Sequence, residues 1–132
     1  MNCVPVESPI VILQNGTFDK SYSWGIGNPP VIVDITGFTG VMTIREKLKD
    51  TTPILVLNTI TQAWSADGPT GLYFTNEEWR IYINNTDSRI FCPSKRDIVG
   101  VYDLFLINPS GEAVFKQYGP ASMIASVTEI LE

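Results

Sequence analysis

The chain has 132 residues, the size of one domain, and 44% of them are hydrophobic against 17% charged, so it is predicted to fold around a core. Its 14 acidic and 9 basic residues give a formal charge of −5, which argues against nucleic-acid binding because phosphate contacts need clustered lysines and arginines. The absence of histidine removes histidine-based acid–base and nucleophilic catalysis and most zinc sites. Composition therefore favours a binding or structural module, with no catalytic residue, metal or cofactor expected.

The first part of the chain is typical of an extended arm. We assign residues 1–15 to this arm and the first strand, and residues 16–132 to a β-sandwich, together one domain. With Pro5 and Pro9, the segment Cys3–Ile12 either lies over its own sheet or adds to the edge of a neighbouring sheet. Neither a secretory signal nor a membrane-spanning run is predicted, so synthesis in a cytoplasm and no membrane partner are expected.

Short apolar runs separated by Gly, Pro, Asn and Asp are typical of an all-β chain. Ten strands in so short a chain predict a two-layer antiparallel β-sandwich, because two sheets packed face to face bury one apolar side of each. The predicted strands are Ile10–Gln14, Phe18–Trp24, Val31–Asp34, Gly40–Arg45, Ile54–Asn58, Gly71–Thr75, Trp79–Asn84, Gly100–Ile107, Ala113–Tyr118 and Ser122–Thr128.

Alternation within the strands assigns their faces. Met42 and Ile44 share one face of their strand, and Trp79, Ile81 and Ile83 form a core stripe. The strand Val101–Ile107 is apolar on both faces except at one aspartate. This pattern predicts a central strand that is covered on both sides, either by its own chain or by a neighbour.

Polar residues between the strands predict the turns. Asn15-Gly16 tolerates positive φ and predicts a tight hairpin, and Asn108–Gly111 predicts the turn of an antiparallel hairpin. Thr75–Glu78 resembles a helix capping box, but the alternating residues that follow favour a turn into a strand. Thr86–Ile90 is predicted to form a single helical turn.

A few residues stand out as candidates for contacts. Trp24 and Trp79 are expected in the core, whereas Trp64 lies in a polar loop and either covers the end of the sandwich or anchors a partner. Cys3 and Cys92 are expected to be free thiols, Cys92 half-buried, although the even count leaves a disulfide open. The predicted interface residues come from the arm, this loop and the C-terminus: Val4, Val6, Ile10, Trp64, Ile130 and Leu131.

Several motifs, in the right order, resemble those of a family of tailed-phage and prophage virion domains. The segment Asp34–Arg45 resembles the family's D-[LV]-T-G-[YF]-T-x-x-M-x-[IV]-R pattern. The other similar segments are Gly16–Phe18 and Ser23-Trp24 in a weaker opening signature, Gly100–Leu106 in the G-x-Y-D-L-x-L strand, Asn108–Val114 in the x-P-x-G-x-V hairpin turn, and Ser122–Ile130 in the last strand.

This family resembles the N-terminal domain of phage upper baseplate proteins, an immunoglobulin-like β-sandwich used in tails, baseplates and fibre attachment. The resemblance implies structural roles only: turn freedom at Gly37, core positions at Phe38, Met42 and Ile44, and a hydrogen bond from Asp103 near the neighbouring strand. It implies no catalytic residue. The family domain often opens a longer protein, whereas this chain stops at residue 132, which favours a stand-alone adaptor or decoration subunit.

The function expected from these observations is that of a structural virion protein of a tailed bacteriophage, in the tail, baseplate or fibre attachment. It would be made in the host cytoplasm, reside in the virion, and assemble with other virion proteins and with copies of itself, without nucleic acid or a small-molecule substrate. A head–tail neck, collar or decoration protein is an alternative.

Two further alternatives come from other classes of protein. One is a carbohydrate- or host-surface-binding sandwich in which Trp64, Tyr73 and Tyr82 stack on sugars. The other is a small hydrolase built on Glu77 and Glu78, which the lack of histidine disfavours.

Overall fold

Alternating apolar residues form strands along the whole described chain. The computed structural model describes residues 5–66, 68–92 and 96–126. These residues make an all-β protein of eleven strands with one 3₁₀ turn at Asp87–Ile90, where a single helical turn is predicted. The strands are β1 (Val6–Glu7), β2 (Ile10–Leu13), β3 (Phe18–Ser23), β4 (Gly25–Ile26), β5 (Val31–Ile32), β6 (Thr39–Arg45), β7 (Leu55–Asn58), β8 (Gly71–Phe74), β9 (Glu78–Ile83), β10 (Ile98–Ile107) and β11 (Ala113–Ile124).

The larger sheet has six strands in the order β1-β11-β10-β6-β7, with β2 also paired to β11. The pairings from β11 through β10 and β6 to β7 are antiparallel, but β1 and β2 pair with β11 in parallel. The prediction of a purely antiparallel architecture is therefore wrong at this edge. Almost the whole chain separates the arm from the last strand, so no hairpin turn sets their relative direction. The arm thus pairs with the edge of its own sheet, whereas the two predicted options were that it lies over its own sheet or adds to a neighbouring one.

Strand β11 is one strand where the sequence predicts two. The predicted segments Ala113–Tyr118 and Ser122–Thr128 join through Gly119-Pro120, and residues 127 and 128 lie outside the described residues. The neighbouring arm breaks at this point, since β1 pairs up to Tyr118 and β2 only from Ala121. Proline lacks a backbone N–H, and it is accommodated in the gap between the two parallel pairings.

The smaller sheet has the order β3-β9-β8, and β4 and β5 form a separate two-stranded ribbon. The Asn15-Gly16 turn forms as expected, with Asn15 at φ 66° and the Gly16 N–H donating to the Leu13 carbonyl at 2.9 Å. Its prediction as a hairpin is wrong, because β2 pairs with β11 and β3 pairs with β9. The turn instead carries the chain from the larger sheet to the smaller one.

One hydrophobic cluster receives side chains from both sheets. The predicted inward residues Met42 and Ile44 of β6 are fully buried, and so is the predicted stripe of β9. Trp24 is buried as predicted, and Phe38 packs against the cluster from its edge. The side chains that the alternation assigns inward are therefore the ones that build the core.

Strands β7 and β8 join the two sheets along one edge. Thr59 and Leu72 form a parallel bridge, and the Ile60 N–H donates to the Leu72 carbonyl at 2.8 Å. The Thr59 hydroxyl accepts from the Gly40 N–H at 2.8 Å and donates to the Gly40 carbonyl at 3.0 Å. A Cβ at Gly40 would lie 2.9 Å from the Phe105 carbonyl oxygen, so the close approach of β6 to β10 at this point requires glycine.

A buried chain of polar groups connects the smaller sheet, the larger sheet and the arm. Trp79 Nε1 donates to Gln117 Oε1 at 3.2 Å, and Gln117 Nε2 donates to the Tyr102 hydroxyl at 2.9 Å. That hydroxyl in turn donates to the Ser8 carbonyl. Burial raises the pKa of Tyr102 to about 12, so this group stays a neutral donor at physiological pH.

Three of the predicted turns are confirmed. Asn108 opens the β10–β11 hairpin, where its side chain accepts from the Glu112 N–H at 2.9 Å. In the segment that carries the family resemblance, Asp34 accepts two bonds from Thr36, which lower the pKa of its carboxyl, and Gly37 follows at φ +81°. Thr75 caps a turn that leads directly into β9.

Cys92 is fully buried rather than half-buried. Its thiol is free and donates to the Met123 carbonyl at 3.2 Å, and burial raises the pKa of this thiol. Cys3 lies outside the described residues.

Candidate interaction surface

The outward face of the larger sheet is apolar along its central strand. In β10 the side chains of Tyr102, Leu104 and Leu106 point inward and are buried, while the intervening residues point outward. Val99 is 71% exposed, and Val101 is only half-buried. Strand β10 is therefore central in its sheet as predicted, but its own chain leaves the outer side chains accessible to solvent, so coverage on both sides by the chain itself is wrong. We call this outward side of the six-stranded sheet the outer face.

Neighbouring strands extend the outer face on both sides of β10. A β-bulge between β10 and β11 turns Lys116 and Gln117 both inward, so that Phe115 and Tyr118 both point outward. Phe115 stacks on Phe105 with ring centroids 5.0 Å apart and contacts Tyr118 at 5.7 Å. The exposed aliphatic side chains that continue this surface are Val11, Leu13, Leu48, Val56 and Ile124.

A groove of about 550 Å³ runs across the outer face. Val101, Pro120 and Tyr118 line its apolar part, and Leu48 stands at its side. Exposed apolar side chains grouped around a groove are a common feature of interaction sites. The outer face is therefore the strongest candidate for a functional site among the described residues.

Three charged side chains lie around this groove. Glu7 is on β1, Asp103 is on β10, and Arg45 is on β6, where its guanidinium also donates to the Asp50 carbonyl at 3.3 Å. Burial raises the pKa of the Asp103 carboxyl, and attraction to Arg45 opposes that rise. Asp103 pairs in register with Thr43 of β6, and among the described residues no hydrogen bond of its side chain of the kind that the resemblance implies is seen.

Trp64 is half-buried, and its ring is already covered. The Arg80 guanidinium lies 3.5 Å from the ring centroid, and two bonds to Asp19, at 2.6 and 2.8 Å, hold this guanidinium in place. The Asp19 carboxylate raises the pKa of Arg80. The indole also packs edge to face against Tyr82. Trp64 therefore covers Arg80 and Tyr82 on the side of β9 that faces away from the core, whereas the covering role predicted for it was at the end of the sandwich.

The predicted sugar-stacking rings do not form an open platform. Tyr73 and Tyr82 are buried, and their hydroxyls donate to the carbonyls of Pro69 and Ala66. The two rings pack edge to face against each other. Both rings are buried on the side of the smaller sheet that faces away from the core, so their predicted stacking on a glycan is wrong.

The predicted interface residues fall in different places. Val6 is 56% exposed, and its register with the inward-pointing Gln117 places it on the side of the larger sheet opposite to the outer face. Ile10 is only 3% exposed and is a core residue, so its prediction is wrong: it pairs with Ala121, and both side chains point inward. The accessible residue of this strand is its neighbour Val11. Val4, Ile130 and Leu131 lie outside the described residues.

The sequence contained a signal for the outer face, but the predicted interface residues did not include the residues that carry it. Strand β10 is apolar on both faces, and the residues opposite it on β11 include two aromatic side chains that point outward. The Lys116 bulge hid this second signal, because Phe115 and Tyr118 are three positions apart and strict alternation assigns them to opposite faces. Glu77 and Glu78 lie at the exposed β8–β9 turn, where their N–H groups donate to the Thr75 hydroxyl.

The described residues offer no sign of a metal site or of a membrane-spanning helix. Within residues 5–66, 68–92 and 96–126, no group of three or more His, Cys, Asp or Glu side chains is placed to hold a metal ion. In the same residues, no helix has the length and apolar character to cross a membrane. No family model matches the chain, and no curated protein matches it. The function is therefore inferred from the outer face and from the sequence resemblance.

Proposed function

We propose that this protein is a structural component of a tailed-phage virion that acts by protein–protein assembly through its outer face. The observation that carries the proposal is the apolar, grooved outer face on a sheet whose other side already fills the core. A surface of this composition is stabilised when a partner covers it. The motif resemblance of Asp34–Arg45 and Gly100–Val114 supports a place in the tail, the baseplate or the fibre attachment.

The finer fold assignment belongs to the same proposal. We infer an immunoglobulin-like β-sandwich, in which the larger sheet and the β3-β9-β8 sheet are the two layers. The single hydrophobic cluster shared by the two sheets supports this assignment, because sandwich cores are built from the inner faces of both layers. The parallel arm strands β1 and β2 are then an addition at one edge.

The proposed role is one of assembly without catalysis. Virion components repeat one interface many times, so a contact that is weak in a single pair becomes effective through multivalency. Tail, baseplate, fibre-attachment, neck, collar and decoration positions all need this property. The proposal therefore includes all of these positions, and the experiment below distinguishes them by locating the protein in the particle.

Gold-labelled antibodies raised against the recombinant protein test the proposal on intact particles purified from the source host. We expect label at one fixed site on the tail or the head–tail region, in a constant number per particle. A complementation assay with Val99→Lys should reduce that label, because a charge in the apolar outer face opposes assembly. The matched control Gln62→Lys adds the same charge at an exposed loop residue away from the outer face and should leave the label unchanged. Particles without any copy of the protein would overturn the proposal.

A further inference from the structure

We propose that the outer face is the interface of a symmetric dimer, in which it packs against the same face of a second copy of this chain. The inference names the partner in the assembly role proposed above and rests on that role. The inference is based on how charged and apolar residues are arranged across the sheet. When a two-fold axis places two copies of this surface face to face, the two surfaces are complementary.

The strand register places the outward residues in rows across the sheet. One row runs through Glu7, Tyr118, Asp103, Thr43 and Val56, on β1, β11, β10, β6 and β7 in that order. In this order β1 and β6 flank the central pair β11 and β10 symmetrically. The acidic Glu7 and the basic Arg45 therefore stand on opposite flanks of the same central pair.

Consider two such sheets stacked with their outer faces together. A two-fold axis that lies in the layer between them, parallel to the strands and midway between β10 and β11, places β10 of one copy over β11 of the other. It also places β6 over β1. The axis runs midway between residues that are paired in register on β10 and β11. Each outward residue of β10 in one copy therefore lies over its β11 register partner in the other copy. Apolar side chains then meet apolar ones in the pairs Val101–Pro120 and Phe105–Phe115.

The charged groups find opposite or polar partners in the same arrangement. Glu7 of one copy lies over Thr43 of the other, and Arg45 is two residues further along the same side of β6, about 7 Å away. The long Arg45 side chain can span this offset to reach Glu7, and symmetry forms the pair twice. Asp103 lies over Tyr118, whose phenol is a donor for the half-buried carboxylate. No two like charges lie directly over each other, and the two Asp103 carboxyls, which are diagonal across the axis, each face a Tyr118 phenol. An isologous interface needs this property, because each residue i contacts j while j contacts i.

Sheet-on-sheet packing supplies the geometry for such a dimer. Two sheets that pack face to face keep their strands within about 30° of each other and interdigitate side chains across about 10 Å. Phe105, Phe115 and Tyr118 are the large side chains that would fill this layer, and rings of this kind dominate the energetics of interfaces. The charge pairs at the flanks fix the relative orientation of the two copies.

Sedimentation velocity and equilibrium over the micromolar range test the dimer with charge-reversal variants. We expect wild-type protein to dimerise, and Arg45→Glu and Glu7→Arg each to raise the dissociation constant at least about tenfold, because each places like charges in opposition twice. The double variant should return to within about threefold of wild type, since the pair is restored with its polarity reversed. The double variant also lacks the Arg45 bond to the Asp50 carbonyl, so its recovery excludes loss of that bond as the cause.

Two matched controls change the same charges away from the outer face. Lys20→Glu on β3 and Glu77→Arg at the β8–β9 turn are exposed positions that shift the net charge by the same amounts as the two reversals, and each should change the dissociation constant by less than about threefold. Circular dichroism confirms that each variant is folded. Wild-type protein that stays monomeric, dimers that neither reversal weakens, or single reversals that the double variant does not rescue would each overturn the proposed dimer. A monomeric protein found in particles would overturn the dimer and leave the proposed function standing.

Discussion

At the residue scale, Ile10 and Val11 are neighbours with opposite surroundings. Ile10 is 3% exposed within the core, and Val11 is 55% exposed on the outer face. We expect Ile10→Ala to lower the free energy of unfolding by about 2–4 kcal/mol, through lost burial and a cavity. Val11→Ala should change it by less than about 0.5 kcal/mol. Urea unfolding of the two variants checks this, and similar losses would contradict the assigned faces.

Asp103 gives a residue-scale prediction about pH. Burial raises the pKa of its carboxyl, so ionisation is less favourable in the folded chain than in the unfolded one. Stability is therefore lost as the pH rises through the interval between the unfolded and the raised folded pKa. The loss is complete above that interval and absent below about 3.9, the ordinary carboxyl pKa. We expect Asp103→Asn to stabilise the fold at pH 7 but not at pH 3.

Urea midpoints at the two pH values measure this effect, at a protein concentration where the wild type sediments as a monomer. Glu7, Arg45 and Tyr118 are the other ionisable groups around the groove, and they are unchanged in the variant. Glu77→Gln at the exposed β8–β9 turn is the control and should show no such difference. Stabilisation by Asp103→Asn that is equal at both pH values would contradict the assignment.

At the element scale, the sequence pattern predicts strands better than it predicts their partners. Alternation locates β6, β9 and β10 and assigns their inward residues correctly, because a half-buried strand must alternate. It misses the continuity of β11, since Gly119-Pro120 has the composition of a turn and is tolerated only where the adjacent arm breaks. It also misses the parallel arm, because pairing over more than a hundred residues leaves no local signal.

The same limit explains what was missed at the candidate site. The apolar outer side of β10 is visible in the sequence, but the facing of Phe115 and Tyr118 depends on a bulge at Lys116. The arm was expected to make contacts through Ile10, whereas the register with Ala121 turns that residue inward. A shift of one residue exchanges the two faces of a strand, so register had to be known before the surface could be assigned.

The buried polar chain between the elements supports another prediction. Tyr102→Phe leaves Gln117 Nε2 and the Ser8 carbonyl without their bonds to the Tyr102 hydroxyl and should cost about 1–3 kcal/mol. Tyr22→Phe is the matched control. Among the described residues the buried Tyr22 hydroxyl has no hydrogen-bond partner, so its removal should be neutral or stabilising.

Thermal and urea unfolding compare the two phenylalanine variants directly. Hydrogen exchange adds a local test, because the Tyr102 hydroxyl binds the arm and the Ser8 N–H donates to the Tyr118 carbonyl at 2.8 Å. We expect faster exchange at Ser8 in Tyr102→Phe and unchanged exchange in Tyr22→Phe. Equal stability losses in both variants would show that loss of the hydroxyl, rather than of its bonds, is what matters.

At the scale of the whole molecule, the net charge opposes dimerisation, whereas the outer face favours it. Each copy carries −5, so two copies repel at long range, while the pairs proposed across the outer face lie at short range in a partly desolvated layer. Raising the salt from about 10 to about 150 mM shortens the screening length from about 30 to about 8 Å. The long-range repulsion is screened most, so we expect the dimer dissociation constant to fall several-fold. Sedimentation equilibrium across this salt series measures it. A dimer that weakens steadily with salt would mean that the Arg45–Glu7 pairs, rather than the apolar layer, dominate association.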